Sequence, residues 1–145
     1  MKKVIEMRID PHVHFRDEEQ DYKETIKHGL ATAHKQGVDI VFDMPNTVAR
    51  ITTEADVKNR LSLVPKGEEH NYKLYIGATA NPQQLAEAVR VVKEYPQVIG
   101  IKMFAGKSTG DLAIIDEAQQ QLVYDTLAKE GYTGVIAMHC EKEAY

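Results

Sequence analysis

Apolar residues fall in short runs that end in polar clusters, and between the runs they recur three and four positions apart. Short runs read as strands, and the wider spacing reads as one buried helix face. The first run, residues 4–9, gives out at Asp10-Pro11, as a buried parallel strand entering a loop does. Asp21 can cap a helix whose Tyr22, Ile26, Leu30 and Ala33 share a face, with Gly37 as its stop. Residues 39–42 predict a second strand, followed by the polar loop 43–47. A second helix is expected from Thr52 or Thr53 to about Val64, with Glu54 and Asp56 favouring its N-terminus. Residues 72–77 predict a third strand, and Asn81-Pro82 starts a helix with Leu85, Ala88, Val89 and Val92 inward. Residues 98–104 predict a fourth strand, closed by the loop 105–110. A fourth helix over 116–130 would turn Ala118, Leu122, Val123 and Leu127 inward, stopping at Gly131. Residues 134–138 then form a fifth strand ending at His139.

Five strands alternating with four helices predict an α/β fold with a parallel sheet of right-handed crossovers. Two layouts satisfy this: an open doubly wound sheet, complete at this length, or part of a (β/α)8 barrel, which typically needs about 250 residues. Length favours the open sheet. Chemistry favours the barrel, because His12 and His14, Asn46, Lys102 and His139 all fall at or just past the C-terminal ends of strands, which a barrel gathers around one mouth. The expectation is therefore one domain, residues 1–145, forming a partial (β/α)8 TIM-type barrel.

Composition narrows the partners. The 145 residues are 43% hydrophobic and 28% charged, ordinary for a folded domain. A net charge of −4 argues against nucleic acid or an anionic membrane. The chain shows no apolar signal segment and no membrane span, and Cys140, its single cysteine, cannot form an internal disulfide, so a cytoplasmic location is expected.

The candidate chemistry starts at His12-Val13-His14. In an extended strand both histidines share a face and can approach one metal ion, although an isolated pair of this kind is as readily two surface residues. Arg16 keeps the same parity, which would set a bidentate cation beside the metal and suit a substrate carboxylate. Lys102 is the lone charge in the apolar run Gly100-Ile101-Lys102-Met103-Phe104. It must be paired, neutralised, chemically altered, or snorkel out at the strand end. Carboxylation by CO2 would make it an anionic metal bridge. His139 becomes a plausible third nitrogen ligand only in company with the first two. Five residues separate Gly100 from Gly106-Lys107-Ser108 where a phosphate loop needs four, which excludes that motif. His28, His34 and His70 fit solvated positions, and Cys140 fits a small reduced core residue.

Four segments, Asp10-Pro11-His12-Val13-His14-Phe15-Arg16, Asp43-Met44-Pro45-Asn46-Thr47, Gly100-Ile101-Lys102-Met103-Phe104 and Ala137-Met138-His139-Cys140-Glu141, resemble the successive signatures of dihydroorotases in the amidohydrolase superfamily. The resemblance spans essentially the whole chain. It implies two zinc ions, with His12 and His14 on the more buried one, a carboxylated Lys102 as bridge and His139 on the second. It also implies that Arg16 and Asn46 hold the substrate carboxylate, and that the reaction is the reversible interconversion of N-carbamoyl-L-aspartate and dihydroorotate in pyrimidine biosynthesis. Hydantoinases and allantoinases share the ligands but lack the same clamp. The family's later strands carry a further histidine ligand and a proton-shuttling aspartate, so the chain is expected to need a C-terminal barrel segment for activity. A hydantoinase- or allantoinase-like activity and a non-catalytic homologue acting in assembly stand as alternatives, and assembly as a homo-oligomer stays open.

Overall fold

The computed structural model describes residues 6–108 and 112–141. Five strands alternate with four helices: β1 (Ile9–Val13), α1 (Ile26–Lys35), β2 (Ile40–Asp43), α2 (Glu54–Ser62), β3 (Tyr72–Gly77), α3 (Pro82–Glu94), β4 (Val98–Phe104), α4 (Glu117–Lys129) and β5 (Val135–His139). The sheet order is β1-β2-β3-β4-β5, and every neighbouring pair is parallel. A doubly wound sheet would reverse its order at a switch point, whereas strictly sequential order winds in one direction. The sheet accordingly curls as a half-barrel.

Local chemistry accounts for the helices. Thr53 and Asp56 form a reciprocal capping box at the start of α2. Asn81 caps α3 ahead of Pro82, whose missing N–H is unneeded in the first turn. Ile26, Leu30, Val57, Leu85, Val89, Val123 and Leu127 from the helices pack against Val41, Leu74, Ile76, Ile101 and Met103 from the strands as one core. Among the described residues no helix is long and apolar enough to cross a membrane.

Several elements differ from expectation. The first strand is not residues 4–9 but Ile9–Val13, because its pairing begins at Ile9 opposite Ile40. Residues 4 and 5 lie outside the described residues, as do residues 109 and 110 of the loop expected after β4. The strand runs through Asp10-Pro11, and the pairing gains one extra residue in β1 between Asp10 and Val13. An edge strand tolerates proline, and a bulge there absorbs its missing donor. The first helix starts at Ile26 rather than Tyr22, which is 76% exposed. Glu18–Gln20 make a 3-10 turn instead, and Thr25 caps α1 by accepting a hydrogen bond from the His28 N–H. In α4 the buried stripe is Val123, Thr126 and Leu127, whereas Ala118 and Leu122 are exposed. Leu122 is rotated about 100° around the helix from Val123, enough to leave the core face.

Candidate active site

The C-terminal ends of the strands bring most of the candidate residues together. His12 lies inside β1 and His14 just beyond it, and their ring centroids are 5.1 Å apart. Because the bulge interrupts strict alternation, this proximity comes from the bent strand end rather than from parity alone. Desolvation and the charge of Lys102 hold His12 below the usual histidine pKa. Desolvation and the Arg16 charge do the same to His14, opposed by Asn46. Both imidazoles are therefore biased toward the neutral form that binds metals. Nδ1 of His14 is buried with no hydrogen-bond partner in the described structure.

Lys102 lies in β4 at the register position between Gly77 of β3 and Ala137 of β5, and is only 2% exposed. Its Nζ stands 5.2 Å from the centroid of the Phe104 ring, and it forms no ion pair among the described residues. Burial lowers its pKa. His139 closes β5 opposite Phe104, with ring centroids 5.9 Å apart, but its Nε2 pairs with Glu141 at 2.9 Å. Among the described residues no three His, Cys, Asp or Glu side chains converge as a ready metal cluster. The fit to a metal is thus two adjacent neutral imidazoles, one with an orphaned nitrogen, within the field of a buried lysine. His139 is nearby but turned to a carboxylate.

Arg16 and Asn46 also meet, though not as two free side chains. Nη1 of Arg16 donates to the main-chain oxygen of Asn46 at 2.9 Å. The Asn46 amide nitrogen donates to Ser108 Oγ at 3.0 Å, and its buried Oδ1 has no partner. The residues after Arg16 are strained: Asp17 has φ 46° and ψ −172°, and Glu18 has φ 50°. Such backbone in non-glycine residues costs about 1–3 kcal/mol each. The strain is held by Asp17 N–H donating to Glu24 O, by the Ile26 N–H donating to the Asp17 carboxylate, and by Asn59 donating to Glu18.

Sequence reasoning missed the groups beneath this site. Asp43, Arg60 and Tyr72 form a buried polar cluster, with the Asp43 and Arg60 side chains 0% and 2% exposed. Arg60 is one helical turn from buried Val57, and that spacing was the available signal. Burial pushes the Asp43 carboxyl up, and Arg60 and Tyr72 oppose the shift.

No protein-family model matches the chain. Among solved structures, an L-hydantoinase (dihydropyrimidinase) from Arthrobacter aurescens superposes with TM-score 0.74 at 20% identity, covering 94% of this chain and 29% of that one. A dihydroorotase from Campylobacter jejuni gives TM-score 0.62 at 15% identity, over 95% of this chain and 38% of that one. The fold is that of part of a (β/α)8 barrel, shared with both structures. By sequence, the chain is similar to the N-terminal part of curated dihydroorotases. The dihydroorotase of Thermococcus kodakarensis is 38% identical over 104 residues, 72% of this chain and 24% of the relative. That of Methanosarcina acetivorans is 31% identical over 137 residues, 93% of this chain and 27% of the relative. The chain thus spans about a quarter of the length of these curated relatives.

Proposed function

We propose that residues 1–145 are the N-terminal portion of a cytoplasmic, zinc-dependent dihydroorotase, which interconverts dihydroorotate and N-carbamoyl-L-aspartate in pyrimidine biosynthesis. The observation that carries this reading is the meeting of the His12–His14 ring pair with the Arg16–Asn46 link at the C-terminal ends of β1 and β2. A C-terminal barrel segment would complete the site as the chain's partner. His12, His14, His139 and a carboxylated Lys102 would hold two zinc ions, His139 after releasing Glu141. Zinc bound there would supply hydroxide at neutral pH and polarise the amide carbonyl.

The chain's own residues do the rest. Burial of Lys102 enlarges the fraction of neutral amine, whose Nζ forms the N–C bond to CO2 and loses a proton to become the carbamate. The Arg16 guanidinium grips the substrate carboxylate through its remaining N–H groups, and the Asn46 amide turns from Ser108 to assist. Fixing the carboxylate holds the ring amide in place, so that attack is effectively intramolecular.

A hydantoinase-like substrate is the second reading, supported by Arg16 already spending Nη1 on the Asn46 main chain. Arg16→Ala separates the two in the assembled enzyme. The dihydroorotase reading expects KM for dihydroorotate to rise at least tenfold, with hydantoin turnover little changed. An unchanged KM for dihydroorotate removes the preference.

A further inference from the structure

We propose that Arg60, on α2, is a positioning residue that sets the substrate-clamping Arg16 through its backbone. The inference rests on the reading of Arg16 as the carboxylate clamp. Arg60 touches none of the candidate ligands, yet its guanidinium grips the peptide on which Arg16 stands. Nη2 donates to Phe15 O at 2.5 Å and Nη1 to Arg16 O at 3.1 Å. The rest of the fork is spent on Asp43 Oδ2, with Nη2 at 2.7 Å and Nε at 3.2 Å, while Nε also approaches the Tyr72 hydroxyl at 3.3 Å.

Asp43 completes the grip from the other side. Its Oδ1 accepts from the N–H of Phe15 at 2.9 Å and of Met44 at 3.0 Å, and Oδ2 also accepts from the Tyr72 hydroxyl at 2.6 Å. Phe15 is therefore held at its N–H by Asp43 and at its carbonyl by Arg60. Through Met44, the same carboxylate fixes the start of the loop that carries Asn46. One buried ion pair thus registers both halves of the clamp, the Arg16 backbone and the Asn46 loop, and the strained turn at Asp17 begins immediately after it. Only a planar fork with five donors can serve two carbonyls and a carboxylate at once, and lysine, a point charge, cannot.

The test uses the 145-residue chain, labelled with ¹³C and ¹⁵N in arginine, in its zinc-loaded assembly with a C-terminal barrel segment of a dihydroorotase relative. The readouts are the Arg16 side-chain NMR signals, which report restricted rotation through its bond to Asn46 O, and the affinity for dihydroorotate. Arg60→Lys keeps a cation for Asp43 and is expected to abolish the restricted Arg16 signals and weaken dihydroorotate binding about tenfold. Tyr72→Phe, which frees Nε from one partner, is expected to move the same signals in the same direction by less, and decides the matter if Arg60→Lys does not fold. Leu85→Ala, a core truncation in α3, lowers stability without changing them, which separates positioning from general loosening. Arg16 signals and affinity unchanged in the folded Arg60 and Tyr72 variants overturn the proposal. Arg16 signals that respond to Arg60→Lys while the unaltered zinc-loaded assembly fails to bind dihydroorotate support the positioning and overturn the clamp reading instead.

Discussion

Asp43 shows how much one buried carboxylate can organise. It accepts hydrogen bonds from two backbone N–H groups, a phenol and a guanidinium, all without solvent. A buried ion pair adds little over an apolar replacement of both partners, but removing one partner leaves an uncompensated buried charge. Asp43→Ala is therefore expected to destabilise the chain by about 3–5 kcal/mol, measured by urea denaturation, with Tyr72→Phe costing about 1.5–3 kcal/mol for its lost bond to a buried charge. The sequence offered His12, His14, Arg16, Asn46, Lys102 and His139 as candidates because polar groups stand out at the ends of apolar runs. It did not show Arg60 or Tyr72, whose role depends on partners more than ten residues away. Nor did it show that Arg16 reaches Asn46 through the main chain, since side-chain direction after a strained turn leaves no pattern in residue type.

At the scale of elements, α2 is tied to α3 by a surface cluster. Glu54 pairs with Lys58 at 2.6 Å and with Arg90 at 2.7 Å, and accepts from the Tyr95 hydroxyl at 2.7 Å. The hydrogen bonds from Lys58, Tyr95 and Arg90 lower the Glu54 pKa from the usual 4.5 to about 2. The unfolded chain then binds more protons between these values, so the contribution is present above about pH 4.5 and is lost as pH falls toward 2. Glu54→Gln is expected to flatten this part of the stability–pH profile, and thermal melts from pH 6 to 2 check it. The β4–β5 pairing has a different dependence. A Cβ on Gly100 would lie 2.6 Å from Val135 O, so Gly100→Ala must push the two strands apart. The expected cost is about 1–3 kcal/mol, with faster amide exchange confined first to residues 135–139. The helix cap at Asn81 was legible from residue type alone, and Thr53 as one of two adjacent threonines. The start of α1 was not, because Asp21 has the chemistry of a cap while the turn at residues 18–20 takes its place.

For the whole molecule, the decisive fact is the sequential order of five parallel strands. Alternating elements predicted a parallel sheet but could not choose its winding, because the order of strands is set by which helices pack on which face and both layouts share the same periodicities. The placement of chemistry at strand ends made the choice, and the curled sheet agrees with it. Both edges of that sheet lack a neighbouring strand among the described residues, and Ile9 and Val135 on them are 48% and 54% exposed. Open edges of this kind are pairing surfaces. Under the proposed function, a C-terminal barrel segment would add its strands at these edges.

The most direct measurement is dihydroorotate turnover by this chain assembled with a C-terminal barrel segment of a dihydroorotase relative, with bound zinc quantified in the same preparation. The expected result is N-carbamoyl-L-aspartate formation that requires both pieces and zinc, and that is lost in His14→Ala together with bound metal. An assembled, zinc-loaded complex that forms no N-carbamoyl-L-aspartate would contradict it.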